Sequence, residues 1–125
     1  MELIDEINKL KISNKLIIVE GKKDIIALNK FGIKNIIEIK GPLEIFSEHI
    51  ANKFKEVIIL TDLDIEGKKL YSKLNKYLSH QGVIIDNNFR NYLYKKTKLT
   101  QIEGLTKYVK TQEDLHKNRK KMIFF

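Results

Sequence analysis

Three acids close together carry the first chemical signal. Asp62, Asp64 and Glu66 stand at alternate positions directly after the apolar run at 57–60. Alternate residues of an extended chain face the same side, so Asp62 and Asp64 are expected to project together. Two carboxylates side by side repel, and either a divalent cation or a basic partner would offset that repulsion. Mg²⁺ suits the first option, being a hard ion held by a few carboxylate oxygens, water and substrate phosphate. Glu66 also falls in the first turn of the helix expected next, where an acid favours the helix dipole with no further role. A further acid, Glu20, follows the apolar run at 16–19, and Gly21 after it allows the chain to turn. Another turn, at Gly41, follows the segment 35–40 and permits close backbone approach or an unusual φ.

These positions matter only if the segments before them are strands of one sheet. Leu16-Ile17-Ile18-Val19, the isoleucine-rich 35–40, the run 56–60 and Val83-Ile84-Ile85 read as four strands. Helices are expected between them. One covers 22–31 with Ile25, Ile26 and Leu28 inward and Gly32 as its stop. The next starts at Pro42 and buries Leu43, Phe46, Ile50 and Phe54; the third buries Leu70, Leu74, Tyr77 and Leu78 and ends at Gly82. A short amphipathic helix over 1–11 precedes them all. The order β-α-β-α-β-α-β predicts an α/β fold: a mostly parallel four-stranded sheet flanked by helices. Ligands of such sheets bind at the C-terminal edge of the strands, where Glu20, Gly41 and Asp62 all fall.

After Asp86 the pattern turns helical. Phe89, Tyr92 and Leu93 suggest a short helix, and Thr100 with Glu103 fits a capping box ahead of Ile102, Leu105 and Val109. Thr111 is expected to cap a separate last helix. The terminal Met122-Ile123-Phe124-Phe125 is apolar and expected to dock on the core. The chain thus reads as one domain, with a core over 1–86 and a helical extension over 87–125 packed on it.

Charge follows the same division. The formal charge of +8 comes from 14 basic against 13 acidic side chains in residues 1–86, and 10 against 3 in residues 87–125. A basic extension predicts a polyanionic partner, bound through its phosphates. No apolar run approaches the ~18–20 residues that span a bilayer, and the acidic N-terminal segment does not read as a signal peptide. With no cysteine, disulfides, thiolate catalysis and Cys-ligated zinc are excluded. A cytoplasmic location is expected.

Taken together, these motifs resemble the Toprim family, the catalytic domain shared by topoisomerases, bacterial primases and several nucleases. The stretch Ile17-Ile18-Val19-Glu20-Gly21-Lys22-Lys23-Asp24 resembles its first motif, and Thr61-Asp62-Leu63-Asp64-Ile65-Glu66-Gly67 its second, with the Gly41 turn between them. The resemblance spans about residues 15–86. It implies that Asp62, Asp64 and Glu66 hold Mg²⁺, as one ion or two with Mn²⁺ as a substitute, and that Glu20 is a general acid/base or a further ligand. It also places Lys22 near a substrate phosphate and Gly21, Gly41 and Gly67 at backbone turns.

Absences narrow the family's activities. There is no room for a strand-passage gate, no zinc cysteine of primases or recombination mediators, and no P-loop of the ATPase-linked nucleases. What remains resembles the bacterial ribonuclease that matures 5S ribosomal RNA, and compact archaeal Toprim proteins. Two departures from that ribonuclease are Lys68, where an acid usually follows the second motif's glycine, and a shorter C-terminal region. The expected function is a Mg²⁺-dependent endoribonuclease on structured RNA, such as ribosomal precursor RNA, with a ribosomal protein as a candidate partner. Lys22, Lys68, Arg90, Lys95, Lys96, Lys98, Arg119, Lys120 and Lys121 are the candidate phosphate contacts. A non-catalytic RNA-binding or ribosome-binding module, and a DNA-directed nuclease or replication-repair subunit, stand as the alternatives.

Overall fold

The computed structural model describes residues 2–123, and side chains throughout except at 116 and 118–123. Four strands form the sheet: β1 (Leu16–Val19), β2 (Ile36–Glu38), β3 (Glu56–Leu60) and β4 (Ile84–Ile85). Every pairing is parallel and the order is β2-β1-β3-β4. The helices are α1 (Glu2–Ser13), α2 (Lys22–Asn29), α3 (Leu43–Lys53), α4 (Ile65–His80), α5 (Asn88–Lys96) and α6 (Leu105–Ile123), with a 3-10 turn at Ile102–Gly104 before the last. No described helix is long and apolar enough to cross a membrane.

The unbroken apolar runs of β1 and β3 follow from burial on both faces. Ile17, Val19, Ile58 and Leu60 pack under α1, α2, α5 and the start of α6, against Leu28, Phe89, Leu93, Ile102 and Leu105. Leu16, Ile18, Val57 and Ile59 face α3 and α4, against Phe46, Ile50, Leu74 and Leu78. Each fully buried Leu or Ile contributes about 1.5–3 kcal/mol relative to exposure. At the sheet's lower edge the Lys15 ammonium reaches Glu56 at 3.1 Å and Asp86 at 2.8 Å, tying the starts of β1 and β3 to the end of β4.

Three details differ from the sequence reading. On α2 the buried face is Asp24, Ala27 and Leu28, while Ile26 is exposed. The capping box expected at Thr100 is absent: the 3-10 turn starts after Gln101, with no side-chain cap. Nor does Thr111 start a new helix. It lies inside α6 and its hydroxyl donates to the Lys107 carbonyl at 3.0 Å, a bond that lets threonine sit in a helix interior. The expected docking of 122–125 falls outside the described side chains.

Gly67, in the first turn of α4, owes its identity to a close approach. A β-carbon there would lie 2.0 Å from the Asp62 carbonyl oxygen. Gly21, by contrast, is extended and has nothing near a β-carbon. Gly67→Ala is therefore expected to cost about 3 kcal/mol in urea unfolding, whereas Gly21→Ala stays within about 1 kcal/mol. Equal small losses would mean that the loop moves freely away from α4.

Candidate metal centre

Val19 of β1 pairs with Leu60 of β3, so the residues that follow the two strands emerge side by side. From β1 the chain crosses to β2 on one side and then to β3 on the other. The gap between β1 and β3 is thus the switch point at which open α/β sheets bind ligands. Glu20 enters it from one strand and the loop Thr61-Asp62-Leu63-Asp64 from the other.

Carboxylate oxygens of Glu20, Asp24 and Asp62 lie within 4.8 Å of one another. Asp24 is the member that the sequence reading left out of the site. An acid in the first turn of a helix ordinarily faces solvent and favours the dipole. Here it shares the inward stripe of Ala27 and Leu28, and its Oδ2 accepts the Gly21 backbone N–H at 3.2 Å. The available signal was its spacing of three and four residues from those two apolar positions.

Crowding shows in the proton affinities. Burial, a hydrogen bond with Asp62 that only a protonated oxygen can make, and the charges of Asp62, Asp24 and Asp64 push Glu20 up to about 7. Asp24 is likewise raised, first by burial and then by the Asp62 charge, against the opposing Gly21 hydrogen bond.

The loop that carries Asp62 is held from several directions. Asp62 Oδ1 accepts the Ile102 N–H at 2.9 Å, and the Leu63 N–H donates to the Thr100 carbonyl at 2.7 Å. The buried Thr61 hydroxyl donates to the Gly67 carbonyl at 2.7 Å. Arg90 donates to the Thr61 carbonyl at 2.5 Å and to the Asp62 carbonyl at 3.1 Å. Its guanidinium also lies over the Tyr71 ring, 4.5 Å from the centroid.

The other expected site residues are dispersed around this centre. β3 stops at Leu60, so strand alternation does not extend to Asp62 and Asp64. Asp64 instead caps α4, its Oδ1 accepting the Gly67 N–H at 2.8 Å, close enough for its charge to reach Glu20. Glu66 points to solvent on α4, 3.7 Å from Lys69. Gly41 has φ +71°, the left-handed conformation that glycine tolerates best. Lys22, at the start of α2, is exposed, as are Lys95, Lys96 and Lys98 at and beyond the end of α5. Lys68 is exposed and donates to the Tyr94 hydroxyl at 3.0 Å. Arg90 is buried and turned to the loop backbone rather than to the surface. The side chains of Arg119, Lys120 and Lys121 lie outside the described residues.

A profile described as the Toprim domain matches residues 15–102. The chain belongs to the Toprim family. The match extends past Asp86 to Ile102, whose N–H binds Asp62. Among similar proteins is a UPF0292 protein of Methanocaldococcus jannaschii, 34% identical, with 87% of this chain and 88% of the relative covered. A UPF0292 protein of Methanosarcina acetivorans is 38% identical, over 86% of this chain and 78% of its own. Among solved structures, a putative protein from Aquifex aeolicus superposes with TM-score 0.73 at 39% identity, covering 79% of this chain and 94% of that one. Toprim domains bind divalent metals and act in nucleic-acid chemistry, and the chain covers most of the length of these relatives.

Because the folded pKa of Glu20 is raised above its ordinary value of 4.5, its contribution to stability is whole below about 4.5 and is lost as pH rises through about 7. In EDTA, Glu20→Gln is therefore expected to be more stable than the wild type at pH 8, with that advantage vanishing by about pH 4. Urea unfolding at the two values checks this. An advantage independent of pH would show that Glu20 feels no crowding.

Proposed function

We propose that this Toprim protein is a Mg²⁺-dependent endoribonuclease acting on structured RNA, ribosomal precursor RNA among its candidate substrates. The observation that carries the reading is the carboxylate trio at the β1/β3 switch point, with Glu20 raised to about 7. Three oxygens within 4.8 Å fit the donor set of a hard divalent ion. Glu20, Asp24 and Asp62 would hold it, with Asp64 and Glu66 nearby on the α4 side and Mn²⁺ as a substitute. Such an ion, or a pair, would supply Lewis-acid stabilisation of the phosphoryl oxygens.

The chain's own groups supply the rest. Glu20 is poised near neutrality, so its carboxylate can take a proton from an attacking water or its carboxyl can return one to a leaving oxygen. Arg90 fixes the loop through two backbone carbonyls and so keeps Asp62 aimed at the site. Exposed Lys22, Lys68, Lys95, Lys96 and Lys98 would give the RNA backbone cationic contacts, with Arg119, Lys120 and Lys121 as further candidates in the sequence of α6. The excess of RNA over DNA in this reading rests on the likeness of the first motif to the 5S maturation ribonuclease. A ribosomal protein that shapes the RNA is the corresponding partner, and a cytoplasmic location goes with it.

Labelled structured RNA and matched DNA, each incubated with Mg²⁺ and with EDTA, test the proposal. The wild type is expected to cut RNA only with metal, and Glu20→Gln and Asp62→Ala to lose about 10²-fold or more in rate. Cleavage of DNA alone would move the assignment to a DNA-directed nuclease; tight RNA binding without cleavage would favour a non-catalytic module. In a separate salt titration, Lys95→Ala is expected to weaken RNA binding across sequences and to lower the slope of log affinity against log salt by about 1. An unchanged slope would remove Lys95 from the interface.

A further inference from the structure

The segment that anchors the metal loop also forms one wall of a groove. Thr100 accepts from Leu63, and Ile102 donates to Asp62. Gln101, between them, is extended and exposed, so its position is set on both sides by the loop. The groove it lines has a volume of about 370 Å³ and includes Lys98, Leu99, Lys107, Tyr108 and Gln112. Its size falls in the range of small-ligand sites, and its lining combines an apolar floor with a few polar groups.

We propose that this groove takes one unstacked nucleotide of a single-stranded stretch in the RNA, next to the phosphodiester presented to the carboxylates. The proposal rests on the ribonuclease reading and specifies how that site grips its substrate. Charge and chemistry agree on the occupant. Lys98 and Lys107 are exposed cations with no ion-pair partner among the described residues, suited to the phosphates on either side of a nucleotide. Tyr108 packs partly on the core and partly lines the groove, which gives a base a fixed aromatic surface to stack on. The side-chain amides of Gln101 and Gln112 form no hydrogen bond among the described residues. Each carries both donors and an acceptor for a base edge. A structured RNA exposes such bases in loops and bulges, where protein recognition of sequence concentrates.

The test measures binding by fluorescence anisotropy in Ca²⁺, with a labelled six-nucleotide RNA and the same strand carrying abasic sites. Tyr108→Leu keeps apolar bulk against the core and removes the stacking surface; Gln101→Ala is a second, exposed change with little risk to folding. Tyr108→Leu is expected to bind the intact strand about 5-fold to 100-fold more weakly, the range set by loss of one base stack, and Gln101→Ala about 2-fold to 10-fold more weakly, for loss of one hydrogen bond. Affinity for the abasic strand should stay level across all three proteins, and Tyr108→Phe should retain most of the wild-type affinity. Equal losses on intact and abasic strands, or no loss in either variant, would overturn the subsite while leaving the ribonuclease reading standing. Failure of the wild type to bind or cut any RNA would remove that reading, and the subsite with it.

Discussion

Glu20, Asp24 and Asp62 carry like charge within 4.8 Å, and the upper edge of the fold is arranged to withstand that repulsion. Left to itself, a loop bearing Asp62 would swing away from β1 and relieve it. Five separate contacts prevent this: Arg90 on two carbonyls, the Thr61 hydroxyl on Gly67, and the two exchanges with Thr100 and Ile102. Hydrogen bonds of this kind are worth about 1 kcal/mol each, more where a charged group takes part, so together they oppose the tendency of the half-buried Asp62 carboxylate to separate. What the fold does not remove is the proton affinity, and Glu20 retains the excess.

Arg90 carries a disproportionate share of this arrangement. Its guanidinium is buried, which depresses its proton affinity, yet a guanidinium remains charged far above neutrality. The same cation that orders the loop backbone therefore sits close enough for its charge to be felt by Glu20 and Asp62. Tyr71 covers the guanidinium and is itself held by its hydroxyl on Asn87. Position and partial charge compensation thus come from one side chain, and they come from α5, outside the strands that supply the acids. The family match, which reaches residue 102, includes this helix, which strand patterning alone would treat as an appendage.

The strands were legible because burial on both faces leaves no alternative to an apolar run. Residues 16–19 and 56–60 stand where the alternating two-sided core requires them. The carboxylates at the strand ends followed from the same reading. Asp24 did not, since a helical acid looks the same whether it faces solvent or a neighbouring carboxylate until the helix is packed. Arg90 was misleading for a related reason. In a basic segment, an arginine looks like a phosphate contact, and a partner 28 or 29 residues away in the chain has no local signature. Thr111 shows the limit from the other side: its capping preference is real, but a long helix absorbs it through a bond to the preceding turn.

The loop also explains why a glycine, rather than any small residue, follows the second acidic motif. Asp64 must cap α4, and Thr61 must reach the carbonyl of Gly67, which draws the first turn of α4 down onto the Asp62 carbonyl. A methyl group at 67 would meet that carbonyl at 2.0 Å, so it would separate the cap from the metal loop that the cap holds in place. The acidic motif therefore combines two tasks within six residues. Asp62 turns toward Glu20 and Asp24, and Asp64 with Gly67 fastens the start of α4. A carboxylate moved from capping to ligation would loosen the helix start, and this coupling gives the two aspartates different physical duties despite their identical side chains.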